Sequence, residues 1–158
     1  MKPNTIRAFT FSDLGEVSAA PYDVVVFGGG YAGFAAARRL RAAGRRVLLW
    51  EPSGGVVWES GRAFEAEPQL WTPAFQPFAQ AVAAVTGIAD GRLDGFAAQS
   101  VALDLLRTDG VERLYDAMPF RVGLADGRLA AVDAATKSGL RRVRAAQWID
   151  ASEAGTLL

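Results

Sequence analysis

Hydrophobic and polar positions follow two different periods along this chain, and the changes of period divide it. Residues 24–27 are an unbroken apolar run, mostly β-branched, as in a strand buried on both faces. After a glycine cluster, residues 34–43 are strong helix formers, with Ala35, Ala36 and Ala37 small enough to pack closely on a sheet. Gly44 stands where a helix ends, and residues 47–50 supply a second apolar strand that stops on Glu51. Proline-rich sequence follows, through Pro68, Pro73 and Pro77. The spacing then predicts a helix over 78–85, with Phe78, Val82 and Val85 on one face. A second helix is predicted over 94–108, with Val101, Leu105 and Leu106 towards the core. From Val111 to Asp150 the period falls to two, and the residues read as strands joined by tight turns. Asp126-Gly127 and Ser138-Gly139 are hairpin signals, and 143–149 is the last strand, ending on Asp150.

The glycines between the first strand and the first helix have the spacing G-x-G-x-x-G, as Gly28, Gly30 and Gly33. Strand, tight turn, helix, strand and acid follow one another in about 30 residues, as a dinucleotide-binding unit requires. Gly28 allows a sharp exit from the strand. Gly30, lacking Cβ, lets the backbone approach a pyrophosphate, and Gly33 lets the helix sit tightly on the strand. The helix N-terminus offers unpaired N–H groups and partial positive charge to phosphates. Glu51 is placed to accept hydrogen bonds from ribose hydroxyls, and its charge opposes a 2′-phosphate.

Composition narrows the chemistry. The 158 residues fit one domain with a sizeable core, and 51% apolar with 22% charged content is ordinary for a globular protein. Seventeen basic side chains balance seventeen acidic ones, so net charge points to neither a nucleic-acid nor a membrane partner. Without cysteine there is no disulfide or thiolate chemistry, and without histidine the commonest general base is missing. Chemistry must come from carboxylates, Tyr, Lys, Arg or a cofactor with its own reactivity. Residues 1–20 read as a leader segment, interrupted by Asp13 and Glu16 and lacking the apolar core of a secretory signal. Residues 19–37 are nearly uncharged, but Asp23 and Gly28-Gly29-Gly30 argue against a membrane span. The expectation is a soluble, cytoplasmic protein.

In a nicotinamide domain more αβ units would follow Glu51. Here a second glycine pair, Gly54-Gly55, comes first, and a β-meander later returns to the first sheet. Glu51 still permits NAD; the meander argues against it.

These residues resemble the N-terminal part of an FAD-dependent oxidoreductase of the glutathione-reductase-like flavoprotein superfamily. The resemblance rests on residues 23–33, 47–51, Gly54-Gly55 and the closing "RAAQWIDASEAGTLL", and it covers about residues 22–158. One departure is that Ser152-Glu153-Ala154 stands where the family has Thr-Gly-Asp. The implied fold is α/β: a Rossmann-like FAD-binding βαβ unit with a central parallel sheet, inserted helices and an antiparallel β-meander. The resemblance places Gly28, Gly30, Tyr31, Ala32 and Gly33 at the pyrophosphate and Glu51 with Pro52 at the adenosine ribose. Gly54 and Gly55 fall near the phosphates or ribityl chain, and Met118 and Pro119 at the adenine. Ala151 and Ser152 meet the cofactor where the chain re-enters the sheet.

On the same grounds residues 21–158 are expected to be a truncated FAD-binding domain whose substrate domain is absent. Hydride transfer at the flavin would belong to the full-length enzyme, and this chain alone would turn over nothing. The expected partners are FAD, self-association or a complementary chain, and a small-molecule substrate only when the missing domain is supplied. The rival reading is a non-catalytic nucleotide-binding or interaction module; an NAD-binding domain is less favoured. Glu59, Glu65 and Glu67 are too irregular for a metal site, and no catalytic acid or base stands out. Arg38, Arg39, Arg41, Arg45 and Arg46, with Arg141, Arg142 and Arg144, read as solvated surface. Trp58 and Arg62 either line the cofactor site or, the favoured reading, pack the loop. Trp71, Phe75 and Phe78 read as core or as contacts to the absent domain.

Overall fold

The computed structural model describes residues 14–61, 75–88 and 92–157. Arg62, Glu65, Glu67, Pro68, Trp71 and Pro73 lie outside the described residues, as do residues 1–13 of the expected leader.

The expected βαβ unit is present. Strand β2 (Tyr22–Phe27) leads through the glycine turn into helix α1 (Tyr31–Ala42), and β3 (Val47–Glu51) returns parallel to β2, with Val24 opposite Val47 and Phe27 opposite Trp50. A single short helix, α2 (Trp58–Gly61), follows. Helix α3 (Gln76–Thr86) has Pro77 in its first turn, where the missing N–H costs nothing, and ends on Gly87 in the left-handed conformation. Helix α4 (Gly95–Thr108) begins on Asp94, whose side chain accepts a hydrogen bond from the Ala97 amide at 2.8 Å. On α3 the packed face stops at Val82. Val85, expected on that face, lies in the last turn and is 69% exposed.

Beyond α4 the structure differs from the sequence reading in one strand. Residues Glu112–Tyr115 form β4, which is not part of the meander but runs parallel to β3 on its outer side, with Leu48 opposite Glu112. Its four residues run from two exposed charged positions to two half-buried ones, with no period that would assign a neighbour. The meander itself is β5 (Met118–Ala125), β6 (Arg128–Thr136) and β7 (Gly139–Asp150), antiparallel in succession. The strand order is β4-β3-β2-β7-β6-β5.

Strand β7 runs 12 residues, longer than expected, because its two halves have different partners. Its first half pairs antiparallel with β6, from Gly139 to Arg144, and its second half pairs parallel with β2, from Ala145 to Asp150. Beside the first half lies β1 (Gly15–Glu16), and the Val17 amide donates to the Arg142 carbonyl at 2.9 Å. The end of the segment expected as a leader is thus tied to the sheet.

Both faces of β2 and β3 are covered, as their unbroken apolar runs imply. On the helix side Val24, Val26, Val47 and Leu49 pack with Phe34, Ala37, Phe78, Val82 and Leu106. On the other side Val25, Phe27, Leu48 and Trp50 meet Val132, Ala134, Val143 and Ala145 of the meander. The Trp50 indole N–H donates to the Ala117 carbonyl at 2.8 Å and so anchors the β4–β5 connection to β3.

Several arginines expected at the surface hold tertiary contacts. Arg38 pairs with Asp109 at 2.6 Å, and Arg46 lies over the Tyr22 ring and pairs with Glu112 at 3.1 Å. Arg142 is half-buried and donates to Asp133 at 2.7 Å, while Arg121 donates to the same carboxylate at 2.6 Å. Asp133 is only 2% exposed. Burial pushes its carboxyl pKa up, but the bonds from Arg142 and Arg121 outweigh that and hold it below the usual range. Asp133→Ala is expected to lower the unfolding free energy by about 2 kcal/mol, less than for a fully enclosed pair because both guanidinium groups reach solvent. The shift of the urea midpoint measures it, and an unchanged midpoint would show the triad to be dispensable.

Candidate functional site

The C-terminal ends of β2, β3 and β7 meet at the glycine turn. Gly28 has φ +105°, and a Cβ added there would lie 2.5 Å from the Ala151 carbonyl oxygen. A Cβ on Gly33 would lie 1.8 Å from the Gly28 carbonyl oxygen. Helix α1 and the end of β7 are therefore pressed against the same peptide. The Ala151 amide donates to the Phe27 carbonyl at 2.7 Å, and the Gly28 amide to that of Trp50 at 2.8 Å. Gly30 is the N-cap of α1 and provides no side-chain cap, and there is no acidic residue in the helix's first turn. The N–H groups of Tyr31, Ala32 and Gly33 have no acceptor within the helix.

Two glutamates approach this turn. Glu51 is 7% exposed; one carboxylate oxygen accepts from the Gly29 amide at 2.6 Å and the other from the Ser53 amide at 2.7 Å. It braces the turn against the loop after β3, and each oxygen keeps a second lone pair. Glu59, on α2, accepts from the Tyr31 amide at 2.8 Å, and its carboxylate lies where a Gly30 side chain would be, 2.5 Å from an added Cβ. Helix α2 is held there by the Val57 amide, which donates to the Gly29 carbonyl at 2.8 Å, and by a hydrogen bond between the Tyr31 and Ser60 hydroxyls. The Tyr31 ring in turn meets Phe75 and Phe78 edge-on.

Past β7 the chain turns around Asp150. Its carboxylate accepts from the Ser152 hydroxyl at 2.6 Å, the Ser152 amide at 2.9 Å and the Leu157 amide at 2.6 Å. Burial pushes its pKa up, but the Ser152 hydroxyl and the Leu157 and Ser152 amides together hold it below the usual carboxylate range.

Between these segments lies a cleft of about 200 Å³, lined by Phe27, Gly28, Gly30, Glu51, Pro52, Trp58, residues 151–154 and Thr156. It brings together Gly28, Gly30, Glu51, Pro52, Ala151 and Ser152 from the sequence-derived set. Tyr31, Ala32 and Gly33 form the adjoining first turn of α1. Gly54, Gly55, Met118 and Pro119 are not among the lining residues. Gly54 instead faces Asp116, and Met118, 59% exposed, opens β5. Trp58, expected mainly to pack the loop, borders the cleft. Among the lining residues the charged side chains are Glu51 and Glu153. Glu59 was singled out only as a poor metal ligand; its place on α1 depends on a four-residue helix that leaves no periodic signal in the sequence.

The family model of the FAD dependent oxidoreductases matches residues 23–158, almost the whole chain. The chain belongs to that family. Among solved structures, a flavoprotein/dehydrogenase from Cytophaga hutchinsonii is similar at TM-score 0.62 and 21% identity, covering 88% of this chain and 41% of that one. A geranylgeranyl bacteriochlorophyll reductase-like protein from Thermoplasma acidophilum gives 0.59 at 18% identity, covering 84% of this chain and 39% of the other. A myxobacterial chondrochloren halogenase, described as a variant of FAD-dependent halogenases, gives 0.58 at 16% identity, covering 83% and 37%. At these identities the likeness is one of fold, and the chain spans well under half of each of these structures. No curated protein matches the sequence. Among the described residues of this FAD dependent oxidoreductase domain, no helix is long and apolar enough to cross a membrane.

Two predictions follow from the geometry of the turn. Gly33→Ala forces apart α1 and the Gly28 carbonyl and is expected to cost about 3 kcal/mol or more, read by urea unfolding; a stability equal to wild type would mean the approach is not required. Asp150 has a folded pKa below its unfolded value of about 3.9, so its contribution is present above that value and lost as pH falls through the folded one. Asp150→Asn should therefore be less stable than wild type at neutral pH, with the gap closing in acid. A gap independent of pH would contradict this.

Proposed function

We propose that residues 21–158 form the FAD-binding domain of a flavin-dependent oxidoreductase, preceded by residues 1–20. Family membership supports the class. The observation that carries the reading for this chain is the turn at Gly28, Gly30 and Gly33. It has no room for a Cβ at its first and third glycines, and it opens onto a helix that lacks an N-terminal cap of its own. These residues fit the adenosine and pyrophosphate half of the cofactor. The first-turn amides of α1 would hold the pyrophosphate. Glu51, already fixed by Gly29 and Ser53, has lone pairs left for the ribose hydroxyls. Pro52, Ala151 and Ser152 would border the same half from the other side of the cleft. Gly54, Gly55, Met118 and Pro119 stand further out and would meet the cofactor only beyond the cleft.

When bound, the flavin supplies hydride acceptance and donation; the chain's own residues bind and orient the nucleotide. Titration calorimetry on the chain tests the nucleotide site. FAD and ADP are expected to bind in competition, NADP to be disfavoured by Glu51, and riboflavin, lacking the adenosine pyrophosphate, not to bind. Gly30→Leu, whose side chain meets the ends of Glu59 and Trp58 rather than backbone, should fold but lose FAD and ADP. Retained affinity in that variant, or no binding of FAD or ADP to wild type, would refute the proposal.

A further inference from the structure

Helix α1 has no acidic residue in its first turn and no side-chain cap at Gly30, yet its first amide is not left to solvent. The Glu59 carboxylate, contributed by α2, accepts from the Tyr31 amide at 2.8 Å and fills the gap left by the missing Gly30 side chain. An anion at a helix N-terminus is stabilised by the N–H groups and the helix dipole alike. A phosphate entering the cleft would want the same amide and the same gap. It would also meet acidic neighbours, since Glu51 and Glu153 line the cleft. Two anions cannot share one helix terminus at contact distance without strong mutual repulsion.

We propose that Glu59 is an internal competitor for the phosphate seat: it occupies the N-terminus of α1 in the chain by itself and must swing away for a nucleotide's phosphates to bind. This rests on the reading of the cleft as a dinucleotide site. The device is local. Glu59 sits on a helix of four residues that the Val57 amide and the Ser60 hydroxyl tie to the glycine turn, so a rotation of its side chain moves the carboxylate off the Tyr31 amide while those ties stay in place. The buried Glu51 has a different task, with its two oxygens accepting from backbone amides of the loops it braces. Glu59 thus sets how tightly the domain holds a phosphate-bearing ligand, and the cofactor's affinity carries the cost of displacing it.

The test compares wild type, Glu59→Gln and Glu59→Ser by calorimetry with ADP and with inorganic pyrophosphate, with circular dichroism as a check on folding. Both variants should bind ADP about tenfold more tightly than wild type, the effect expected for removing one carboxylate from a helix terminus. In wild type, ADP should move the carboxyl carbon resonance of Glu59 together with the Tyr31 amide. This second measurement needs no variant to fold. If Glu59 is simply a cap, substitution lowers stability and leaves ADP affinity equal or weaker, and the resonance stays in place; either result overturns the competitor. Absence of ADP and pyrophosphate binding in all three proteins overturns the nucleotide-site reading and the competitor with it. Equal affinity in all three overturns the competitor alone.

Discussion

A methyl group on Gly33 would stand 1.8 Å from the carbonyl oxygen of Gly28, and one on Gly28 would stand 2.5 Å from that of Ala151. Helix α1, strand β2 and the end of β7 therefore meet around a single peptide that tolerates no side chain on either flank. The remaining architecture follows from this contact. Because α1 sits so low on β2, Phe34 and Ala37 reach Val24 and Val26 and the helix layer closes over the sheet. Because the chain leaving β7 passes beside Gly28, Asp150 and the turn it organises form the far wall of the cleft. Glu51 closes the third side from β3 by accepting the Gly29 amide.

Buried and half-buried acids do much of the joining. Glu51, Asp133 and Asp150 each accept two or more hydrogen bonds from other parts of the chain. Glu51 draws two loops together, Asp133 clamps adjacent strands of the meander through Arg121 and Arg142, and Asp150 shapes the exit from β7. Carboxylates satisfied in this way serve as fixed acceptors. That suits a family in which the redox chemistry resides in a flavin and the protein contributes position and field.

What could be read from the sequence was local. The glycine spacing, the apolar runs of β2 and β3, Asp94 ahead of α4 and the two hairpin turns each write their meaning within a few residues. The contacts that escaped were between distant segments. The residues Glu112–Tyr115 carry no period that names a neighbour, and only the position of β3 makes them parallel. Arg142 looked like surface because its partner, Asp133, lies on the neighbouring strand, brought opposite it by the register of β6 and β7. Glu59 gave no sign of reaching Gly30, since neither the length nor the period of α2 predicts which way its side chains point. At the cleft, the glycines, Glu51 and the chain after Asp150 were found in advance. Met118 and Pro119 were placed by family resemblance and are not among the residues that line the cleft.

Strand β7 has a consequence for the order in which the molecule assembles. Its second half joins β2 at Tyr22 opposite Ala145, so that pairing closes a loop of about 120 residues and carries a high entropic cost. Its first half joins β6 across a tight turn, and β5 joins β6 across another, so the meander costs little to form. The βαβ unit at the other end closes a longer loop than either hairpin, with Val47 opposite Val24, but a far shorter one than β7 on β2. The long-range seams of the sheet are β7 on β2, β4 on β3 and β1 on β7, and the first of them ends beside Gly28. The cleft is consequently divided between near and distant sequence. Gly28, Gly30, Glu51 and Trp58 are joined within the βαβ unit and the short helix after it, whereas the wall formed by residues 151–154 and Thr156 comes into place only with the docking of β7.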